Sequence, residues 1–290
     1  MPPRTRKPPP DPRAAHIPKP APVAPRLDDG ELRRRLGEHV RVLGLVDLTE
    51  AELDAHLAAA LDQRPSYTQL LERLLGQAAA RKRERCCERR IVESGMTVRK
   101  TLATFDWAFQ PKLDRAAVEE LAGLGFVHKQ RDLLITGKPG TGKSHILMSI
   151  ALLACEAGHL VRYARFVDLL SELHAGLADG SYERRLRRWA RLPFVVLDDV
   201  GMGQVPAHAD TPTAAHMLWS LIDLRHQRTT TAMSSNIKLS EWGKYLGDAT
   251  VTAAILDRLA MTSVRLDIDG PSYRQHLAHL RAEHDPTDAS

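Results

Sequence analysis

The stretch Gly137-Lys138-Pro139-Gly140-Thr141-Gly142-Lys143-Ser144 has the residue types and spacing to hold a polyphosphate. It follows a short apolar run, Leu133-Leu134-Ile135, and opens an apolar helical pattern that reaches Cys155. Glycine, any four residues, then Gly-Lys-Ser between a strand and a helix is the P-loop pattern. Glycines let consecutive backbone N–H groups turn inward around phosphate oxygens, and the helix N-terminus adds partial positive charge. Lys143 is expected to reach the β- and γ-phosphates, and the Ser144 hydroxyl to be a Mg²⁺ ligand. A second element, Phe194-Val195-Val196-Leu197-Asp198-Asp199, is an apolar β-branched run ending in two acids. This is a Walker B pattern, in which Asp198 holds Mg²⁺ directly or through water and Asp199 orients and deprotonates the attacking water.

Two further side chains complete the chemistry. Thr229 to Asn236 reads as a strand with a polar tip, so Asn236 can hydrogen-bond a lytic water or the γ-phosphate. Arg258 sits in the otherwise apolar helical run Ala253 to Leu259. It suits either an arginine finger acting on a neighbouring subunit's γ-phosphate or a surface salt bridge, with Asp257 as the nearest partner.

The elements that position these groups alternate strand and helix. His159 to Tyr163 reads as a strand, Phe166 to Leu177 as a helix, Ala214 to about Arg228 as another, and Val264 to Ile268 as a last strand. Upstream, residues 27–95 read as helical. Leu32, Leu36, Val40 and Leu43 fall on one face. Thr49 to Glu52 forms a capping box ahead of Leu53, Leu57 and Leu61, and Ser66 opens a third helix with Leu70, Leu71, Leu74, Leu75 and Ala78 as its stripe. That helix turns basic at Arg81, Lys82, Arg83, Arg85, Arg89 and Arg90, which fits either a solvated face or a phosphate- or partner-contacting one. The run Tyr182 to Arg191 is basic with interleaved aromatics, and suits equally a nucleic-acid contact or an amphipathic helix burying Leu186 and Trp189. The aromatics of Phe105 to Phe109 either pin a linker to the core or lie beside a base.

Residues 1–26 are dense in Pro, Arg and Lys with Asp11 the only acid, a composition that predicts a disordered basic arm. It lacks the apolar stretch of a signal peptide, and no apolar run approaches the roughly 18 residues of a membrane span. Cys86, Cys87 and Cys155 form neither a disulfide framework nor a spaced metal site, so a cytoplasmic setting is expected. His208 and Asp210, in the turn-rich stretch from Gly201 to Pro212, make a poor metal site. A net charge of +5 is compatible with a nucleic-acid partner.

In its order of motifs the chain resembles the AAA+ helicase-loader clade, and more closely the IstB family, the helper ATPases of insertion-sequence transposition. The likeness is carried by Phe105-Asp106-Trp107-Ala108-Phe109-Gln110-Pro111, by Ser234-Ser235-Asn236, by Glu241-Trp242-Gly243, by Ile255-Leu256-Asp257-Arg258-Leu259 and by Ser272-Tyr273-Arg274. The resemblance implies an α/β P-loop AAA+ core with a central parallel sheet, here over residues 96–280, and a small all-α N-terminal domain, over 27–95; residues 281–290 read as a tail. It implies ATP and Mg²⁺ as cofactors, ATP-dependent oligomers on DNA, and a cognate transposase as partner in DNA recombination. Asn236 would be sensor I, Arg258 a finger in trans, and Arg274 a sensor-like arginine. Two alternatives share the same core: a replicative helicase loader of the DnaC or DnaI kind, and a scaffold that binds ATP but barely hydrolyses it. The chain departs from the family in having Asp198-Asp199 where Asp-Glu is usual. The shorter side chain withdraws the carboxylate by about 1.5 Å, and misplacement near 1 Å can cost about a hundredfold in rate, so slow turnover is expected. A second departure is the Gly201–Pro212 stretch, read as longer than the family's.

Overall fold

The computed structural model describes residues 29–42, 44, 49–205 and 211–284. The basic arm, Leu43, His208, Asp210 and residues 285–290 lie outside them. Two compact units divide between Lys82 and Arg83.

In the first unit, α1 (Asp29–Val42), α2 (Glu50–Gln63) and the start of α3 (Tyr67–Glu93) bury a small core of Val40, Leu53 and Leu74, with Leu57 and Leu70 against it. Both N-terminal signals operate. The Thr49 and Glu52 side chains each bond the other's backbone N–H, and Ser66 and Gln69 do the same at α3. The expected apolar stripes are only partly buried, however. Leu32, Leu36, Leu61, Leu71 and Leu75 are all exposed. On α3 the core takes Leu70, Leu74 and Ala78, spaced by four, whereas Leu71 and Leu75 lie one residue (about 100°) further round. Three helices share one narrow seam, too small for every leucine.

The second unit is built on a five-stranded, wholly parallel sheet in the order β2-β3-β4-β1-β5. Its strands are β1 (Asp132–Gly137), β2 (Val161–Arg165), β3 (Phe194–Val200), β4 (Thr230–Ser235) and β5 (Ser263–Ile268). Between and around them run α4 (Arg115–Ala122), α5 (Gly125–His128), α6 (Lys143–Glu156), α7 (Phe166–Ala178), α8 (Tyr182–Ala190), α9 (Ala214–Arg225), α10 (Trp242–Leu246), α11 (Ala249–Thr262) and α12 (Tyr273–His284). Helices cover both faces, which is why the middle of β1 (Leu133 to Ile135) and the first four residues of β3 (Phe194 to Leu197) are continuously apolar. Leu133 and Ile135 point into one core layer with Ile146, Ile150 and Phe194. Leu134 points into the other with Phe166, Leu218 and Val195.

The sequence pattern anticipated every strand but not α4, α5, α10 or α12. The first three are short, and α12 runs past Arg281 as a largely exposed helix without an apolar stripe. On α8, Leu186 and Trp189 are buried while Arg184, Arg187, Arg188 and Arg191 face outward, so the amphipathic reading of that segment holds. The basic run of α3 is partly engaged. Arg81 pairs with Glu52 at 2.6 Å in the first unit, and in the second Arg90 donates to the Cys155 carbonyl at 2.9 Å.

A buried arginine ties these layers together. Arg225, 1% exposed at the end of α9, donates to the carbonyls of Trp189 (2.9 Å), Leu192 (2.8 Å) and Thr230, and to the Thr231 hydroxyl (2.8 Å). Burial lowers its pKa to about 10, opposed by the charge of Asp132. The side chain gives hydrogen-bond donors to carbonyls at the end of α8, just after it and at the start of β4. Arg225→Met keeps the volume but strands those acceptors, and should destabilise the fold by about 3 kcal/mol or more. A urea midpoint unchanged from the parent would contradict this account.

Candidate functional site

Because all five strands run parallel, their C-terminal ends emerge on one edge, and the site is assembled there. β1 delivers the glycine-rich loop, which is held from two sides. A Cβ on Gly142 (φ +102°) would lie 2.6 Å from the Phe105 ring, and one on Gly140 (φ +83°) would lie 2.1 Å from the Ser272 hydroxyl. Only glycine permits both the left-handed backbone and these approaches. The Tyr273 N–H donates to the Gly140 carbonyl at 2.9 Å, and Gln110 Nε2 to that of Pro271 at 2.9 Å, which closes the clamp.

Lys143 is the first residue of α6 and is buried. Its Nζ donates to the Gly137 and Lys138 carbonyls, both at 2.7 Å, and Thr141 braces the same turn through the Lys138 carbonyl at 2.9 Å. Burial holds the Lys143 ammonium down to about 8. The charges of Asp199 and Asp198 oppose that shift, and that of Arg274 adds to it. Both Walker B acids and Arg274 are therefore each within electrostatic reach of Lys143. Ser144 is half-buried at the second position of α6. Beside the loop lies a cleft of about 370 Å³ lined by Phe105, Phe109, Thr141, Gly142, Tyr273 and Arg274, among others. Phe105 packs on Trp107 and His145 at centroid distances of 4.8 and 5.2 Å, so the linker aromatics both pin the linker and wall this cleft.

At the tip of β3, Asp198 is buried, and its carboxylate accepts from the Tyr163 hydroxyl at 2.5 Å and from the Ser234 hydroxyl. Burial and the adjoining carboxylate push the Tyr163 hydroxyl far above an ordinary phenol, so it remains a donor. The pairing with β4 shifts register between Leu197 and Val200, and Asp199 takes φ +61°. Its N–H donates to Ser234 Oγ at 2.9 Å, and Asn236 Nδ2 donates to its Oδ1 at 2.7 Å. The left-handed region tolerates aspartate far better than most side chains, which gives Asp-Asp at this tip a local backbone reason. Trp242 Nε1 donates to Ser235 Oγ at 3.0 Å and joins that motif to the polar tip of β4.

Arg258 stands apart. It forms an ion pair with Asp223 on α9 and lies over the Trp219 ring at 4.3 Å, half-buried. The expected Asp257 partnership is replaced because adjacent helix residues face different sides, whereas Asp223 lies across the α9–α11 contact. Thr262, one turn on, donates to Asp132 at the start of β1, so Arg258 belongs near the edge of the sheet opposite the P-loop.

The sequence reading missed Tyr163 and the hydroxyl role of Ser234. The alternation of β2 marks Tyr163 as inward-facing, but nothing local says that its hydroxyl meets a carboxylate 35 residues on. Among the described residues no cluster of three or more His, Cys, Asp or Glu side chains is placed to hold a metal. Asp198 and Ser144 offer only oxygen, which suits a hard cation such as Mg²⁺ if phosphate oxygens complete its shell.

A parallel sheet, a clamped glycine-rich loop with a buried lysine and an acid pair at the tip of β3 define a P-loop ATP-binding protein. The model of the family "IstB-like ATP binding protein" matches residues 38–280, and the chain belongs to that family. A protein of insertion sequence IS5376 of Geobacillus stearothermophilus, named for ATP binding, is 30% identical over 252 residues, covering 87% of this chain and 98% of its own. Its counterpart from IS21 of Pseudomonas aeruginosa is 31% identical over 226 residues, covering 77% and 83%. A solved structure of DnaI has a TM-score of 0.48 at 20% identity, covering 62% of this chain and 94% of that one. No helix among the described residues is long and apolar enough to cross a membrane.

The low value at Lys143 has a consequence for pH. Below pH 8 the empty site holds the ammonium, and above it the neutral amine prevails. A triphosphate favours the ammonium, so binding takes up a proton above that value, and affinity should fall about tenfold per pH unit beyond it. Nucleotide titrations at pH 7, 8 and 9 check this, and a flat profile refutes it.

Proposed function

We propose that this protein is an ATPase that assembles on DNA and assists the transposase of an insertion sequence, in the cytoplasm. The observation that carries the reading is the convergence of Lys143, Asp198, Asp199 and Asn236 at one edge of the sheet. The loop N–H groups from Gly137 to Ser144, with Lys143, hold the phosphates, and Arg274 adds charge from the cleft side. Ser144 and Asp198 would hold Mg²⁺, which when bound supplies charge neutralisation to the triphosphate. Asp199 takes the proton of the attacking water, and the Asn236 amide fixes the carboxylate in the orientation that does so. A carboxylate shorter than glutamate makes this hydrolysis slow.

The exposed arginines of α8 supply a one-signed face for phosphate. The relatives' names supply the insertion-sequence context, and hence a transposase as partner. Arg258 lies away from its own chain's site, as a residue acting on a neighbour's γ-phosphate would, so ATP is expected to join subunits.

Two experiments test the reading. Asp199→Asn should keep ATP affinity within about threefold yet lower steady-state turnover, with or without duplex DNA, by at least a hundredfold. Equal turnover would remove Asp199 from the chemistry, and a parent with no turnover would leave only a nucleotide-dependent scaffold. Arg258→Ala should bind ATP normally but be inactive alone. Mixed with Asp199→Asn it should recover part of the activity, because mixed interfaces pair an intact site with an intact finger. No recovery would argue against action in trans. Co-purification with a replicative helicase in place of a transposase would redirect the partner assignment.

A further inference from the structure

Both oxygens of the buried Asp198 carboxylate are engaged by hydroxyl donors, Oδ2 by Tyr163 at 2.5 Å and Oδ1 by Ser234. Hydroxyl bonds to an ionised carboxylate are short and strong, and two of them from opposite sides fix the carboxylate plane. Oδ1 also accepts the Asp199 N–H at 3.1 Å, so the lone pair that remains is on Oδ2, and through it the group can still accept from the water shell that Mg²⁺ gives up reluctantly.

Tyr163 is itself held from behind. In the parallel register of β2 and β3 it stands opposite Val196, two residues short of Asp198, so its ring must lean along the strand to reach the tip. Its N–H donates to the Ser94 carbonyl at 2.7 Å, beyond the end of α3, and a Cβ on Gly95 would lie 3.0 Å from its carbonyl oxygen. Ser94 is fully buried and caps the helix end through the Ile91 carbonyl at 2.6 Å. The β2 edge of the sheet is thus closed by the chain that leaves α3, and the residue at that closure also touches the carboxylate at the site.

We propose that Tyr163, with Ser234, is a positioning residue for Asp198 that sets the one carboxylate orientation in which it receives a hydrated Mg²⁺. The inference rests on the Mg²⁺–triphosphate reading above and extends it to groups that never meet the nucleotide. The two hydroxyls differ in a testable way. Among the described residues the Tyr163 hydroxyl bonds Asp198 alone, whereas the Ser234 hydroxyl also accepts the Asp199 N–H and so joins the metal carboxylate to the base.

Mn²⁺ binding to the full-length protein with a non-hydrolysable ATP analogue, followed by electron paramagnetic resonance, reads the metal without catalysis. Nucleotide affinity in EDTA and the Mg²⁺ dependence of turnover are measured alongside. Tyr163→Phe should weaken Mn²⁺ binding about tenfold, as loss of a partner behind a metal ligand does. It should leave nucleotide affinity in EDTA unmoved and show a turnover deficit that shrinks as Mg²⁺ is raised. Ser234→Ala should show the same metal shift plus a turnover loss that Mg²⁺ does not restore. Unchanged Mn²⁺ affinity in folded Tyr163→Phe overturns the proposal. So does an equal loss of nucleotide affinity with and without metal, which would mark general damage. Should Tyr163→Phe not fold, Ser234→Ala decides, and unchanged Mn²⁺ affinity there overturns it. A parent that binds nucleotide but no Mn²⁺ defeats the Mg²⁺–triphosphate reading itself, and the positioning role with it.

Discussion

Parallel strand direction is the constraint on which this molecule depends. With β1, β3 and β4 running the same way, the glycine-rich loop, the acid pair and the Ser-Ser-Asn tip all emerge on one side of the sheet. Reversing any one strand would send its polar end to the far edge, where Asp132 and Thr262 meet. Parallel strands need crossover helices, and those helices make both faces of the sheet dry. The polar groups at the tips are consequently half inside a low-dielectric body, where hydrogen bonds and charges act more strongly than in water.

The site uses that environment in two opposite ways. Lys143 is desolvated, so its charge is costly in the empty protein, and the carbonyls of Gly137 and Lys138 hold it until a better anion is present. Asp198 is desolvated too, but the hydroxyls of Tyr163 and Ser234 meet its charge. The cation is left wanting a partner while the anion is fixed in place. That asymmetry suits a site that must capture an anionic ligand and present a fixed carboxylate to its counter-ion.

Far from the site, Arg225 shows the same economy of buried polarity. It is a charged side chain in the core, accommodated because carbonyls at the end of α8, just after it and at the start of β4 converge on it. Arg258, only half-buried, is satisfied by one carboxylate and one indole, and surface pairs of that kind are weak. The contrast separates an arginine that holds the fold together from one that is free to be exchanged for another partner.

The loop from Gly137 to Ser144, the acids at the end of β3, the polar tip of β4 and all five strands were legible in the sequence. Each depends on local pattern: glycine spacing, a β-branched run, an apolar-to-polar switch. The capping boxes at Thr49 and Ser66 were legible for the same reason. What lay beyond reach was every feature that joins residues distant in the chain. Which leucines of α1, α2 and α3 are buried depends on how wide a seam three helices can share. Whether Arg258 meets Asp257 or Asp223 depends on which helix lies alongside α11. The clamp of Phe105 and Ser272 on the P-loop, and the hydroxyls of Tyr163 and Ser234 on Asp198, join segments with no common periodicity. Sequence alone determined where a glycine-rich loop opens a helix and where a strand ends in acids, because residue type and local spacing decide that. Only the tertiary structure decided which hydroxyls and aromatic rings hold those groups in place, because such contacts are fixed by strand order and packing across the sheet.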